Sequence, residues 1–155
     1  MKINLFKHSQ LEEDYIDIHY IEETSKIKDI VKYIKSNSHE LFGYLEGQLF
    51  KIPLSEVLYF EAIEHKCFAC TLNKVYEIEF TLKQLTQSFE ELGFIRINKS
   101  TIVNIYKVDS LKNDFEMRVL IKLCNGESLI INRSYKKSFK SALQHIKEKL
   151  LEENL

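Results

Sequence analysis

The 155 residues, of which 45% are hydrophobic and 29% charged, suffice for one globular domain with a core, and they exclude a disordered or collagen-like chain. No window approaches the roughly 18 to 20 apolar residues of a membrane span, and the opening MKINLFKHSQLEEDY lacks the apolar stretch of a signal peptide, so we expect a cytoplasmic protein. Three cysteines are too few for a disulfide framework, and the net charge of −1 gives no overall sign of a nucleic-acid partner.

The first 38 residues are predicted to form a small accessory segment. Alternating apolar residues predict two strands, KINLFK at 2–7 and YIDIHYI at 15–21. Apolar residues then recur at helical spacing over residues 27–34, and Thr24 or Ser25 can supply the N-cap, so a helix is predicted. A strand-strand-helix segment of this length cannot enclose a core alone, and we expect it to pack on the remainder of the chain.

The polar run at 36–39 marks the predicted boundary, and residues 39–155 form a second predicted domain that is rich in short strands. Three strands are predicted in succession, namely VLYFEA (57–62), CFACTL (67–72) and VYEIEF (75–80). A helix over residues 81–93 is predicted next, because Thr81 and Gln84 form a capping-box pair.

The last part of this domain begins with GFIRINKSTIVNIYKV (93–108), in which two apolar arms flank a polar tip. A hairpin over residues 117–132 comes next, since Asn125-Gly126 is a strong two-residue turn signal between apolar runs. Apolar residues at helical spacing predict a final helix from about Ser134.

Three interruptions of the apolar strand pattern carry basic or amide side chains at strand ends or loops, where binding residues usually lie. The side chains concerned are His65 and Lys66, then Asn98, Lys99 and Ser100, and finally Asn132, Arg133, Tyr135, Lys136 and Lys137. Arg, Lys and Asn donate hydrogen bonds to guanine and adenine edges, while Ser, Tyr and Lys reach phosphates. Because loops are polar in any protein, each one taken alone can also be an ordinary solvated loop.

Charge is divided unevenly along the chain. Residues 1–92 hold 10 Lys and Arg against 16 Asp and Glu, whereas residues 93–140 hold 10 against 4. A basic block within an acidic whole indicates one face for a polyanion and another that repels it. Imbalances of this size also arise by chance, so charge alone leaves nucleic acid as one of several partners.

Four pieces of the chain carry a family pattern in order, namely IPLSEVLYFEA, TLKQL, FIRINKSTIVNIYKV and NGESLIINRSYKKSFKSAL. Over residues 42–143 the chain thereby resembles the LytTR family of bacterial DNA-binding domains. The third piece is the most specific, because Ser100, Ile102, Val103 and Asn104 match the family pattern of a polar tip with Ser, an apolar pair and Asn.

The resemblance implies a mainly β (α+β) fold of about ten short strands in small antiparallel sheets with a few helices, preceded here by the strand-strand-helix segment. It also implies a sequence-specific transcriptional regulator that inserts loops into the major groove of double-stranded DNA. In the family pattern His65 and Lys66 match the first DNA-contacting loop, Lys99 and Ser100 the second, and Arg133 with Lys136 the third. We add their neighbours Asn98, Tyr135 and Lys137 to the predicted DNA-binding set. Lys66 stands where Arg is common in the family, and Lys99 stands where some relatives carry Asn or Arg, so the base preference of relatives does not transfer to this chain.

The segment ahead of this domain is too short for the receiver domain that many members carry, so the chain resembles stand-alone members. Such members are often controlled by small membrane proteins, and the resemblance therefore implies a membrane-protein regulator. A homodimer on repeated sites is expected, because two linked contacts raise affinity and specificity. We expect no cofactor.

Two other classes of function have some support in the residues. Cys67 and Cys70 beside His65, with Cys124, suggest a zinc or redox site, but residues three apart on a strand point to opposite faces, so no metal is predicted. No catalytic motif is present, and we predict that the chain is not an enzyme. A protein-interaction module that reuses the fold without binding DNA remains the alternative.

Overall fold

The computed structural model describes residues 1–113, 116 and 118–153. Within this part of the chain there are three α-helices, namely α1 (Ser25–Ser38), α2 (Leu82–Phe89) and α3 (Lys136–Glu153). The same residues contain ten strands, namely β1 (Glu40–Leu45), β2 (Gln48–Pro53), β3 (Val57–Ile63), β4 (Lys66–Thr71), β5 (Val75–Ile78), β6 (Phe94–Arg96), β7 (Thr101–Asn104), β8 (Val108–Asn113), β9 (Val119–Leu123) and β10 (Ser128–Ile131). The predicted mainly β fold is confirmed.

The strands form two antiparallel sheets. A seven-stranded sheet has the order β2-β1-β5-β4-β3-β7-β6, and a three-stranded sheet has the order β10-β9-β8. Strand β3 lies between β4 and β7, so the β3–β4 turn and the β6–β7 loop emerge at the same end of the larger sheet. This end is where two of the three predicted loops meet.

Two apolar cores lie on opposite faces of the larger sheet, at β3, β6 and β7. On one face α2 packs over β3, β6 and β7, and Phe60, Leu85 and Phe94 lie at the centre of this first core. On the other face the three-stranded sheet and α3 cover β3, β6 and β7, with Ile121 and Phe139 in this second core. The strands that carry the predicted loops are therefore covered on both sides, which holds their ends in fixed positions.

Local sequence signals account for α2 and its ends. The Thr81 N–H donates to Oε1 of Gln84 at 2.9 Å, and the Gln84 N–H donates to Oγ1 of Thr81 at 3.2 Å, which is the predicted capping box. A 3-10 turn (Glu90–Leu92) extends the helix to Gly93, whose φ of 97° lies in the left-handed region. A Cβ at Gly93 would come within 2.5 Å of the Tyr106 ring, so the position requires glycine.

The two strands predicted at residues 2–7 and 15–21 are wrong. Residues 1–24 contain no strand, and the first regular element is α1. The alternating pattern is present, but an isolated pair of short strands is marginally stable without a third strand or a packing layer. The predicted helix is confirmed as α1, in which the Ile27 N–H donates to Oγ1 of Thr24 at 3.4 Å.

Helix α1 packs at the periphery of the domain. It contacts α3 and the 3-10 turns at Leu54–Glu56 and Glu90–Leu92. Among the described residues, no helix combines the length and apolar character required to cross a membrane. The division of the chain at residue 38 coincides with the end of α1 and stays a prediction.

The cysteines of β4 lie on opposite faces of the larger sheet, as the spacing predicted. Cys67 belongs to the first core and Cys70 to the second, whereas Cys124 is exposed in the β9–β10 turn. Burial raises the pKa of both β4 thiols, and that of Cys70 to about 11.

We therefore expect one fast-reacting thiol per native chain. A disulfide reagent at pH 8 should label Cys124 at once, because Cys67 and Cys70 are buried and remain protonated thiols. Release of the chromophore should rise to three equivalents in denaturant. Fast release of two or three equivalents from the native protein would contradict this placement.

Candidate nucleic-acid interface

The three predicted loops lie side by side and are tied together by backbone and side-chain hydrogen bonds. The Ala62 N–H donates to the Ser100 carbonyl at 2.8 Å, which joins β3 next to its turn to the β6–β7 loop. The Asn132 N–H donates to the Ile97 carbonyl at 2.9 Å, which joins the β6–β7 loop to the segment after β10. We call the resulting surface, formed by residues 64–66, 97–100 and 132–137, the loop edge.

The first loop is a tight two-residue turn. Glu64 and His65 have φ values of 46° and 68°, so both residues adopt the left-handed conformation that short hairpin turns require. His65 and Lys66 are exposed, but Nζ of Lys66 lies 3.0 Å from Oε2 of Glu77 on β5. This loop therefore presents less free positive charge than its sequence indicated.

The second loop is held by the side chain of Asn98. Its Oδ1 accepts the Ser100 N–H at 2.9 Å and the Ser100 hydroxyl at 3.0 Å, and its Nδ2 donates to the Ile130 carbonyl at 3.2 Å. The half-buried Asn98 and Ser100 thus use their polar atoms on each other and on β10. They fix the shape of the loop, and Lys99 at its tip remains exposed.

Arg96 is a second support of this loop, and it lies outside the set of residues predicted from the sequence. Its guanidinium donates from Nε to the Asn98 carbonyl at 3.2 Å and from Nη2 to the Lys99 carbonyl at 2.5 Å. Both carbonyls at the tip of the loop therefore accept hydrogen bonds from Arg96, which fix the backbone that carries Lys99. The sequence contains a signal for this supporting role, because Arg96 stands at the end of a predicted strand before the polar tip.

The third loop leads from β10 into α3 through a 3-10 turn (Arg133–Tyr135). The Tyr135 N–H donates to the Asn132 carbonyl at 2.9 Å, and the Tyr135 side chain is half-buried against the second core. Arg133 and Lys137 are exposed, and Lys136 is half-buried. Tyr135 therefore anchors the turn, while the cations around it face outward.

Positive charge at the start of α3 is reinforced by a residue outside the predicted set. Lys140 lines the same shallow surface hollow as Arg133, Lys136 and Lys137. Its spacing of three and four residues from the two preceding lysines places it on their side of the helix, and that spacing was visible in the sequence.

The two segments that carry the second and third loops contain charges of one sign. Residues 92–108 and 128–147 contain no Asp or Glu. The first turn of α3 carries two lysines and no acidic residue, although the partial positive charge of a helix N-terminus favours carboxylates there. The arrangement costs a few tenths of a kcal/mol to about 1 kcal/mol in the free protein, and a bound anion would offset that cost.

A partly buried hydrogen bond joins the larger sheet to the β9–β10 turn. The Tyr59 hydroxyl donates to Oε2 of Glu127 at 2.7 Å. Burial, followed by this hydrogen bond, raises the pKa of Tyr59 well above its usual value, so the hydroxyl remains a donor throughout the physiological range. This contact helps to hold β10, and therefore the third loop, against the sheet that carries the other two.

The chemistry of the loop edge is that of a polyanion receptor. It offers guanidinium and ammonium groups on a rigid backbone. Elsewhere in the described part of the chain, as on this edge, no group of three or more His, Cys, Asp or Glu side chains could hold a metal ion. All nine predicted DNA-binding residues lie on this edge, although Asn98, Ser100 and Tyr135 use polar or ring atoms internally and Lys66 is ion-paired.

Comparisons with known proteins give the family and the fold of this chain. Residues 47–144 match the family described as the LytTr DNA-binding domain. Relatives from Staphylococcus aureus strains NCTC 8325 and COL, described as uncharacterized HTH-type transcriptional regulators, are 31% identical over 145 residues, which cover 92% of this chain and 98% of theirs. The solved LytTr DNA-binding domain of a Bacillus cereus response regulator has the same fold, with a TM-score of 0.64 and 23% identity over 67% of this chain and 95% of that chain.

Proposed function

Because the chain belongs to the LytTR family of DNA-binding domains, we propose that it is a sequence-specific transcriptional regulator that inserts its loop edge into the major groove of double-stranded DNA. It acts without enzymatic chemistry, in the cytoplasm, and it binds repeated sites as a homodimer. A membrane-protein regulator remains a prediction based on resemblance to stand-alone members of the family.

One observation supports the use of the loop edge above all. Three loops from distant parts of the chain are hydrogen-bonded to one another at one end of a rigid sheet, and their exposed tips carry cations. Loops placed on a rigid scaffold are where binding residues concentrate. A solvated loop needs neither the side-chain support that Asn98 and Arg96 give nor a lysine pair at a helix N-terminus.

We assign two roles to the cationic side chains of the loop edge and the start of α3. Arg133 and Lys99 have the reach and charge to donate to guanine O6 and N7 in the major groove. Lys136, Lys137 and Lys140 surround the start of α3, where phosphate oxygens would receive both ammonium and backbone N–H groups.

Readout by loops, rather than by a recognition helix, is favoured by the order of elements. Strands separate α1 from α2 and α2 from α3, so no two α-helices of the described chain are consecutive. A helix-turn-helix unit needs two helices joined by a short turn. The name of the staphylococcal relatives therefore does not describe the way in which this chain would contact DNA.

Selection of bound duplexes from a random library, with anisotropy titration of the enriched sequence over a salt series, tests the proposal. We expect a repeated short motif whose association constant falls as salt rises, with a slope of about 0.9 per phosphate contact on a logarithmic plot. Failure to enrich any sequence, together with salt-insensitive binding, would favour the protein-interaction alternative.

The ion pair in the first loop leads to a separate prediction. In Glu77→Gln the Lys66 ammonium loses its 3.0 Å partner, and one negative charge is removed from beside the loop edge. We expect DNA affinity to rise about two- to fivefold at low salt and the gain to shrink at high salt, because the pair is exposed. Glu40→Gln, which breaks the equivalent pair with Lys51 away from the loop edge, is the matched control. An unchanged or lower affinity in Glu77→Gln would show that Lys66 does not contact DNA.

A further inference from the structure

The N-terminal segment carries an apolar surface that the rest of the described chain does not cover. Its exposed large apolar side chains are Met1, Ile3, Leu5, Phe6, Leu11, Tyr15, Ile16, Tyr20 and Ile21. Single exposed apolar residues are common on protein surfaces, but nine within 21 consecutive residues form a concentrated patch. Such a patch normally marks an interaction site.

The same residues are arranged as two arms. The backbone bends at residues 9–10 and 12–13, and Met1 lines the same surface hollow as His19, Tyr20 and Ile21. The first arm (residues 1–8) and the second arm (residues 14–21) therefore return past each other like the arms of a hairpin. We call this unit the N-terminal hairpin.

Each arm has the alternating pattern of a strand with one apolar face. In the first arm Met1, Ile3 and Leu5 alternate with Lys2 and Asn4. In the second arm the apolar residues at 16, 18 and 20 alternate with Asp17 and His19. Despite this pattern the arms contain no strand, because a two-stranded unit requires a further strand or a packing layer for stability.

We infer that the missing layer is the N-terminal hairpin of a second copy of this chain, and that the two hairpins pair across a twofold axis to form the dimer interface. The two hairpins pack apolar face to apolar face, so that the first arm of each copy lies antiparallel over the second arm of its partner and the four arms enclose a shared apolar layer. The dimer interface itself does not depend on the proposed function. Only the role that we give the dimer, which is to bring two loop edges to repeated sites on DNA, rests on that function.

The charges of the hairpin favour this pairing. The first arm carries Lys2 and Lys7 and no carboxylate, whereas residues 12–17 carry four carboxylates and no Lys or Arg. A twofold arrangement places each basic arm beside an acidic arm of the other copy, and two such contacts form at once. Pairing of first arm with first arm would instead bring like charges together.

The apolar area is also sufficient. The exposed side chains on the alternating apolar faces are Met1, Ile3, Leu5, Ile16 and Tyr20, and at roughly 100 Å² each they would contribute about 500 Å² from each copy, or about 1,000 Å² in total, which is the lower bound of a specific interface. The hairpin alone can therefore supply an interface without using the loop edge.

Sedimentation velocity of the full chain without DNA tests the inference. Leu5→Asp and Ile16→Asp change side chains that are 92% and 68% exposed, so neither should alter the fold of the monomer. We expect wild type to sediment as a dimer at micromolar concentration and both variants as monomers with an unchanged thermal unfolding midpoint. Leu72→Asp, at an exposed apolar residue outside the hairpin, is the matched control and should remain dimeric. A monomeric wild type, or arm variants that still dimerise, would overturn the inference.

A charge-exchange experiment distinguishes pairing between copies from pairing within one copy. K2E/K7E makes the first arm acidic, and E12K/E13K/D17K reverses three of the four negative charges of residues 12–17. Each variant alone should dimerise more weakly than wild type, and mixing the two should restore a heterodimer of the expected mass. Absence of a heterodimer in the mixture would contradict the exchanged pairing.

The proposed dimer interface and the proposed DNA contacts can be tested independently of each other. On a duplex with a single site, Leu5→Asp should bind as tightly as wild type, and only its gain from a second site should be lost. Lys99→Ala should remain dimeric and bind the single site more weakly. A dimeric wild type that binds no DNA would leave the hairpin interface intact and remove the proposed function.

Discussion

Replacement of Lys99 or Arg133 by alanine is expected to cost roughly 1 to 3 kcal/mol of specific DNA affinity each, which is about a 5- to 150-fold rise in Kd. Both side chains are exposed at loop tips whose backbones are held by other residues, so their removal should leave the fold unchanged. Anisotropy titration on the selected duplex gives the loss of affinity, and the thermal unfolding midpoint reports on the fold. The salt dependence should also weaken where a phosphate contact is lost.

Two controls sharpen this test. Lys83→Ala removes the same charge from an exposed position on α2, on the opposite side of the larger sheet from α3, and should leave affinity within about twofold. Arg133→Lys keeps the charge but loses the planar fork, so it should retain non-specific binding while losing preference for the selected sequence. Wild-type affinity in both Lys99→Ala and Arg133→Ala would remove the loop edge from the DNA interface.

Asn98→Ala is expected to reduce stability and DNA binding together. The substitution removes the acceptor of the Ser100 N–H and hydroxyl and the donor to the Ile130 carbonyl. Loss of this partly buried network should lower the free energy of unfolding by about 1 to 3 kcal/mol. Because Lys99 and Ser100 then lose their fixed positions, specific affinity should fall by at least tenfold even where the protein is fully folded.

Asn73→Ala is the matched control for this second prediction, because Asn73 is exposed in the β4–β5 turn and makes none of the described hydrogen bonds. Asn98→Asp offers an intermediate case, since it retains the Oδ1 acceptor and loses the donor to β10. Chemical denaturation and anisotropy at a temperature well below the unfolding transition separate the two effects. An Asn98→Ala protein of wild-type stability and affinity would show that the loop does not depend on this side chain.

The elements that the sequence predicted well depend on local chemistry. The capping box of α2 involves residues three apart, and the hairpin at Asn125-Gly126 is present with positive φ at Gly126, at 87°. Its turn is not the predicted two-residue type, which requires positive φ at the first central residue, because Asn125 has no positive φ. The opposite faces of Cys67 and Cys70 result from the geometry of any strand. Such features require no knowledge of what lies far away in the chain.

The features that the sequence did not reveal depend on distant partners. Lys66 was predicted to contact DNA, and the sequence did not show that the pairing of β4 with β5 brings Glu77 within 3.0 Å of it. Asn104 was identified only as part of a family pattern, and it is a buried residue that donates to the Val57 carbonyl at 3.0 Å and caps the turn after β7. Neither partner is visible from the residues nearby.

In the candidate site, too, the sequence predicted the features that depend on local residues and did not predict those that depend on distant partners. Patterns along the chain located all three loops, because each interrupts an apolar run with polar or basic residues. The distinction between supporting and exposed side chains within each loop was not predictable. Asn98 and Lys99 are adjacent in sequence, and only the position of β10 shows that Asn98 is bound to the fold while Lys99 faces solvent.

The most direct test of the loop edge is amide hydrogen exchange of the full chain with and without the selected duplex. If the loop edge enters the major groove, DNA should slow exchange at residues 64–66, 97–100 and 132–140 and leave α2 and the β1–β2 hairpin unchanged. Protection confined to α2, to the β1–β2 hairpin or to the N-terminal hairpin would contradict this mode of DNA binding.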